Sequence, residues 1–537
     1  MGVTMARDSG RKISSLFQCL FSILVFAVFL SGCSGLRGEE AEPMLPAAAE
    51  FTFEQYEVVT GLTERQTVLT GFLLGGAMAE LAVVNIDEND DRRLRIYAFG
   101  DDTWVPRLDA TLGPEVLFVD MANIGGRDRL VTYQRGRLNW FDPESATERA
   151  LVSVTSNFNP PRRGEIPHVD VTRDVNGDER DDLVVPNVDG FWVFIQMSDG
   201  TFADPVKIGP STKMGRIYGA DGYRYKPWVQ GGRVHEMDYN RDGRSDLVFW
   251  KEDHFEVHHQ DERGLFAPVA KTFTTDVAFD SDDPASLAAP EGLRRRLKDH
   301  MPSGDMTGRV LHSLADMNGD GVADLVVFSL EIRSMWSAHS TYEVHFGTPT
   351  PDGGTVFAPD VGTAIQSDGV PVGTVPYDFD HDGQIDMMFM TFEIGTFKTI
   401  RMIIGALLTG SASLALGFYR MEGGVYPDKP STTHKTKVVS HGKSGERSAI
   451  FPSVLIGDVN GDRRSDLLVQ QGREELRVFL GVPGPDLFAR RPQKVAVAMP
   501  NEEYIWLVDP NRDGKQDLLI HHPSTAEPHR VTVLIAR

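Results

Sequence analysis

The chain has 537 residues and a formal net charge of −23, with 77 Asp and Glu against 54 Lys and Arg. Such a length would ordinarily be divided among several domains, unless internal repeats build one large unit. The acidic balance, with no basic stripe to neutralise phosphates, argues against a nucleic-acid partner. The only two cysteines are Cys19 and Cys33. With Cys19 in a segment read below as removed, neither a disulfide framework nor a Cys-based metal site is available.

The amino terminus reads as a targeting segment. Arg7, Arg11 and Lys12 precede an apolar run from Leu16 to Leu30 that is too short for a confident membrane span. It ends in Leu30-Ser31-Gly32-Cys33, which resembles a bacterial lipobox. The resemblance implies cleavage before Cys33, lipidation of that residue and anchoring at the bacterial cell envelope. Several acyl chains on one residue give stable membrane attachment. Ser34 follows the cysteine, which by the same analogy favours the outer membrane. Residues 1–32 are therefore the expected signal peptide, 33–49 a tether and 50–537 the folded part.

Residues 50–59 read as an isolated strand. Two strand-loop-strand units follow, at 68–87 and 115–134, the first without an acidic loop and the second with Ala122 and Ile124 where oxygen side chains would stand. Six further units each carry the pattern D-x-[DN]-x-D-x-x-x-D before an apolar run. They begin DVNGDERDD at Asp174, DYNRDGRSD at Asp238, DMNGDGVAD at Asp316, DFDHDGQID at Asp378, DVNGDRRSD at Asp458 and DPNRDGKQD at Asp509. Oxygen side chains at positions 1, 3, 5 and 9 of a tight loop can surround a hard cation such as Ca²⁺, which takes six to eight oxygens. The start of the loop is like that of an EF-hand. It lacks the Glu at position 12, however, and β-type sequence follows, so a hairpin between two strands is expected. One such match alone would be an ordinary solvated turn, since Asp, Asn and Gly are turn residues.

Each unit continues with two more strand patterns, as in GFWVFIQM, the turn SDG and TFADPVKIG after Asp182; GLFAPVAKTF, TVFAPDVG and DLFARRPQKV repeat the last of these. Four antiparallel strands repeated along a chain describe an all-β propeller. Eight blades are counted, with seven as the alternative. The last unit is one strand short at Arg537, so the strand at 50–59 is expected to complete it and close the ring.

These loops and fourth strands resemble FG-GAP/VCBS repeats, the units of integrin α-like propellers. The resemblance covers about residues 50–537 and implies up to six structural calcium sites. The implied side-chain ligands are Asp174, Asn176, Asp178 and Asp182; Asp238, Asn240, Asp242 and Asp246; and Asp316, Asn318, Asp320 and Asp324. The other three sets are Asp378, Asp380, Asp382 and Asp386; Asp458, Asn460, Asp462 and Asp466; and Asp509, Asn511, Asp513 and Asp517. Position 7 is expected to add its backbone carbonyl. Glu179 and Arg463 stand where Gly is usual at position 6. Extracellular calcium modules of this kind bind at about 10⁻⁴ to 10⁻³ M.

The long insertions fall between second and third strands, or between one unit and the next, on the face opposite the acidic loops. Arg216, Tyr218, Tyr223, Arg224, Tyr225 and Trp228 are residue types of interface hot spots and sugar platforms; the alternative is that the aromatics plug the ring. Short helical insertions are expected near Leu293–His300 and in the apolar stretch Ile400–Leu416. No G-x-S-x-G, H-E-x-x-H or phosphate-cradling loop is present, and no catalytic residue is assigned. The expected role is a lipid-anchored, calcium-stabilised, non-catalytic binding module for a protein or glycan. The alternatives are a scaffold subunit of an envelope complex and a polysaccharide-acting enzyme.

Overall fold

A strand covered by neighbouring sheets on both faces must be apolar along its whole length, and the second strand of each repeat has this character. Asp182–Asn187, Asp246–Lys251, Asp466–Gln471 and Asp517–His522 are each buried over at least their first four residues. The computed structural model describes residues 51–537 except 62–64, 161–163, 211–223, 231–233, 283–305, 335–336, 352, 394–410, 442–447, 451, 501–503 and 524–527. The lipobox, Cys33 and the tether therefore lie outside the described residues.

The chain is an all-β propeller; among the described residues it has seven sheets of four or more strands and one two-stranded ribbon at Gly347–Pro349 and Thr355–Phe357. The expectation of eight separate blades is corrected. The repeats of Asp316 and Asp378 share one eight-stranded sheet. The cause is the fifteen-residue strand Thr363–Tyr377. Its first part, Thr363 to Asp368, pairs with Val344 to His339, and its remainder, Gly369 to Tyr377, pairs with Glu393 to Asp386. The strand that ends one repeat thus runs on as the strand that begins the next. The two repeats also pack on each other, through Met317, Val326 and Val344 against Met387, Phe389 and Tyr419. The same kind of apolar layer joins successive repeats elsewhere, as where Leu468, Leu476 and Val478 meet Ile505, Leu518 and Leu534.

The amino-terminal strand closes the ring. Phe53–Gly61 pairs antiparallel with His529–Ala536, Phe53 opposite Ala536 and Val58 opposite Val531. Arg537 pairs with Glu54 at 2.7 Å. The other side of His529–Ala536 pairs with Asp517–His522, so no edge of that strand is left open.

In four repeats a buried or half-buried Phe folds back on the third strand before the fourth begins. Phe202 meets Gln196, Phe266 meets Gln260, Phe357 meets Gly347 and Phe488 meets Gly481. The fourth strands start later than the sequence pattern indicates, at Val206–Ile208 and Lys271–Phe273 for example.

Among the described residues the only helix is one turn, Pro227–Gln230, and no helix is long and apolar enough to cross a membrane. The helix expected near Leu293–His300 lies outside the described residues. The one expected over Ile400–Leu416 is corrected where it is described. Ser411–Tyr419 is a strand in which Ala412, Leu414, Leu416 and Phe418 alternate inward.

Candidate metal loops and the filled axis

Strands alternate in direction, so the loops between first and second strands gather on one face. All six acidic loops have one hydrogen-bonding plan. The position 1 carboxylate accepts the position 5 N–H on Oδ1 at 3.0–3.2 Å. Its Oδ2 accepts the position 6 N–H at 2.7–3.2 Å. The position 5 carboxylate accepts the position 7 N–H at 2.8–3.1 Å.

This winding forces left-handed backbone at two positions. Position 6 has φ between 64° and 86° in Glu179, Gly243, Gly321, Gly383, Arg463 and Gly514. Position 4 has φ between 55° and 78° in Gly177, Arg241, Gly319, His381, Gly461 and Arg512. Glu179 and Arg463 therefore adopt the conformation that glycine adopts without strain. His381 is exposed.

The position 9 aspartates, Asp182, Asp246, Asp324, Asp386, Asp466 and Asp517, are fully buried. Each accepts on Oδ1 an N–H at or just past the end of its third strand, at 2.7–2.9 Å. In four repeats Oδ2 accepts the position 2 N–H. In the Asp238 repeat Asp246 Oδ2 instead meets His259 Nδ1 at 2.9 Å. Asp517 Oδ2 is buried with no hydrogen-bond partner. Burial pushes Asp182, Asp324, Asp466 and Asp517 up to about 7 and Asp386 up to about 8, against the pull of the backbone N–H groups. A carboxylate in this position is held ionised by a positive charge beside it.

The donor set is all oxygen, the chemistry of a hard cation. The Asp378 loop fits one most closely. Asp378, Asp380 and Asp382 each place a carboxylate oxygen within 4.8 Å of the others, and Asp380 Oδ1 is buried without a partner. In three other loops the position 7 arginine lays its guanidinium on the position 5 carboxylate: Arg180 on Asp178, Arg244 on Asp242 and Arg464 on Asp462.

The position 9 carboxylate also survives in the two units without an acidic loop. Glu80, fully buried at the head of Glu80–Ile86, accepts the N–H groups of Leu73 and Leu74 at 2.7 and 3.1 Å. Asp128 accepts those of Phe72 and the Asn123 amide. Glu80 lies outside the D-x-[DN]-x-D-x-x-x-D pattern, although ELAVV and DLVVP place the acid alike at the start of an apolar run.

The axis is occupied. His168–Val169 pairs in parallel with the first strand Phe118–Ile124, and Arg224–Tyr225 pairs in parallel with His168–Val169. These two short strands extend that sheet past its innermost edge. Arg224 Nε donates to His168 Nδ1 at 3.1 Å, and His168 Nε2 lies 2.7 Å from Asp120 Oδ1. Guanidinium Nε–H can only donate, so His168 carries its proton on Nε2 and donates it to Asp120. Asp120 Oδ2 takes the Val171 N–H at 2.7 Å. The Arg224 guanidinium also lies over Trp506 of the last sheet, 4.7 Å from the ring centroid. The Asp120 side chain, at position 1 of its unit, is thus turned away from its own loop.

This geometry corrects the aromatic platform. Tyr225 and Trp228 are 1% and 6% exposed. Tyr225 packs with Phe118, Tyr133 and Val169, and Trp228 meets Phe191 edge to face at 4.9 Å with Arg173 over its ring. Their role is to fill the ring. Arg216, Tyr218 and Tyr223 lie outside the described residues. A cleft of about 430 Å³ lies between the Asp174 and Asp238 repeats, with Val193, Val206, Leu265 and Phe266 as apolar walls and Asp204, His259, Asp261 and Arg263 as polar ones.

No protein-family model and no curated protein matches the chain. Among solved structures it is similar to the biofilm matrix protein Bap1 of V. cholerae, at 10% identity and a TM-score of 0.35, over 90% of this chain and 91% of that one. It is similar to BBS1N, solved in complex with ARL6DN, at 10% identity and a TM-score of 0.30, over 90% and 96%. The WD40 domain of SCAP from fission yeast gives 9% identity and a TM-score of 0.34, over 90% and 98%. Likenesses this remote carry nothing about what the chain does.

Proposed function

We propose that this chain is an FG-GAP/VCBS-type propeller, lipid-anchored through Cys33 at the bacterial envelope, that uses calcium structurally and binds a protein or glycan partner without catalysis. The observation that carries the calcium reading is the ring of six loops with one hydrogen-bonding plan, each leading to a fully buried position 9 carboxylate. A divalent cation between positions 1, 3, 5 and 9 keeps those carboxylates charged and ties each loop to the strand behind it.

The binding reading rests on how the two faces are used. On the acidic-loop face, successive repeats are locked together. Ile385 N–H donates to Met317 O, Gln516 N–H to Asp458 O, and Gln260 Nε2 to Asn176 O. The chain inserts its longest segments from the strand ends of the opposite face, and a rigid scaffold with variable loops is the usual basis of recognition. The buried His168–Asp120 pair, and the buried Asp246 that holds the half-buried His259, serve hydrogen bonds of the fold, which favours a module without chemistry over a polysaccharide-acting enzyme. A scaffold subunit of an envelope complex is the second reading and uses the same face.

Photo-crosslinking in the native cells tests this, with probes at Val188 and Glu252, in second-to-third-strand turns, and at Asp199 on the acidic-loop side. The proposal predicts adducts from the first two positions. One protein adduct identifies a protein partner, and heterogeneous carbohydrate adducts identify a glycan. Adducts confined to Asp199, or turnover of a polysaccharide by the purified chain, would overturn it.

A further inference from the structure

Five of the six acidic loops have Asn at position 3, and the Asp378 loop has Asp380. At positions 1, 3, 5 and 9 that loop therefore has four carboxylates where each of the others has three. A second difference occurs in the same repeat, forty residues away. The residue just before the N–H that binds the position 9 carboxylate is Ile195, His259, Phe346, Arg420, Leu480 and Ile535 in chain order. It is apolar in four repeats and arginine only where position 3 is Asp.

Arg420 reaches into the loop. Its Nε pairs with Asp380 Oδ2, its Nη2 lies 3.7 Å from Asp382 Oδ2 and its Nη1 is 2.8 Å from Glu422 Oε1. The Asp380 side chain is 10% exposed and that of Arg420 is 21% exposed, whereas Glu422 is open to solvent at 68%. Asp380 Oδ1 remains buried without a hydrogen-bond partner. A guanidinium is charged at every accessible pH, so the surplus charge of this loop has a permanent partner of the opposite sign.

We propose that Arg420 is a tethered counter-cation of the Asp378 loop, which a divalent ion displaces when it binds there. The inference rests on the calcium reading of the loops. In the cation-free state Arg420 neutralises Asp380 and shares Asp382. A divalent ion that takes both carboxylates repels the guanidinium, whose remaining partner is the exposed Glu422. This loop then has two charge-balanced states, and a chain lacking the arginine binds the ion there more tightly than the native chain does.

The test is a Tb³⁺ luminescence titration of the purified chain, with Ca²⁺ as competitor. Tyr377 directly precedes the loop, and the signal removed by Tyr377→Phe reports it. Tyr239, at position 2 of the Asp238 loop, reports an Asn-bearing site in the same sample. The expected result of Arg420→Leu, which installs the apolar class found in four other repeats, is half-saturation of the Tyr377 component at an at least tenfold lower Tb³⁺ concentration, since it removes a like charge from beside the ion. The Tyr239 component should not move. Where Arg420→Leu fails to fold without cation, the same step is read in the Asp380→Asn background, and Asp380→Asn/Arg420→Leu should bind more tightly than Asp380→Asn alone. An unchanged or weaker Tyr377 component, with Tyr239 still saturating, overturns the role of Arg420 and leaves the calcium reading standing. No saturable component at either tyrosine overturns both.

Discussion

Position 6 of the acidic loops offers a direct test of the loop geometry. Glu179 and Arg463 hold φ of 67° and 64° where the other four loops have glycine. Left-handed backbone costs an L-residue about 1–2 kcal/mol. Replacement by glycine recovers that cost and loses about 0.5–1 kcal/mol to the freer unfolded chain. Glu179→Gly and Arg463→Gly should each stabilise the protein by about 0.5–1 kcal/mol, and, lying in well-separated repeats, their effects should add. The reverse changes, Gly243→Glu and Gly321→Glu, should destabilise by the same amount. A Cβ at either glycine meets no atom within 4 Å, so backbone strain decides the sign. Urea unfolding followed by tryptophan fluorescence, in saturating calcium and again in chelator, gives the midpoints. Loss of stability from both glycine substitutions, with no cost for Gly243→Glu, would refute the left-handed position 6.

Three further outcomes follow from the same structure. In chelator, the position 9 carboxylates raised to about 7 or 8 from an ordinary 3.8 bind more protons folded than unfolded. Stability should therefore fall as pH rises from about 4 to about 7. Burial lowers His521 to about 3 and His522 to about 4, so these add stability above 6.5 that is lost as pH falls. The difference between melting curves in chelator and in calcium isolates the carboxylates, and a difference independent of pH would contradict the burial argument. Removing the chain through Gly61 uncovers one edge of His529–Ala536 and the apolar neighbours of Val58, and should give an aggregating or strongly destabilised protein by gel filtration and melting; full stability would count against closure by this strand. Asp120→Asn replaces an oxygen that receives buried donors with an amide that cannot accept on both atoms, and should cost about 2–3 kcal/mol in urea unfolding. A neutral effect would show that the His168–Asp120–Arg224 chain does not seat the axial strands.

The repeats were legible because one local pattern, an acidic loop before a wholly apolar strand, occurs six times. Closure was legible because Phe53–Gly61 alternates like a fourth strand and the last unit lacks one. The sheet count was not, because Thr363–Tyr377 is one strand serving two repeats, and Ser367, Asp368 and Gly369 at the join are turn-type residues that run through it as extended strand. The axial strands His168–Val169 and Arg224–Tyr225 are two residues long and pair in parallel across long separations, which no local period reports. Their Tyr225 and neighbouring Trp228 carry the composition of a binding surface and the burial of a core. The apolar content of Ile400–Leu416 points to helix, although Ala412, Leu414, Leu416 and Phe418 already alternate as in a strand. Arg420 could have been found by aligning the repeats on their position 9 carboxylates, since its charge matches the one loop that has Asp for Asn.

The central claim is that six loops bind calcium and thereby hold the ring together. The most direct measurement is the melting temperature of the purified chain at pH 7 in chelator and through a calcium titration into the millimolar range. Binding to the folded state alone raises stability by mass action, so the melting temperature should rise with calcium and return on chelation, with half of the effect at about 10⁻⁴ to 10⁻³ M. A melting temperature that is the same in chelator and in millimolar calcium would contradict the account.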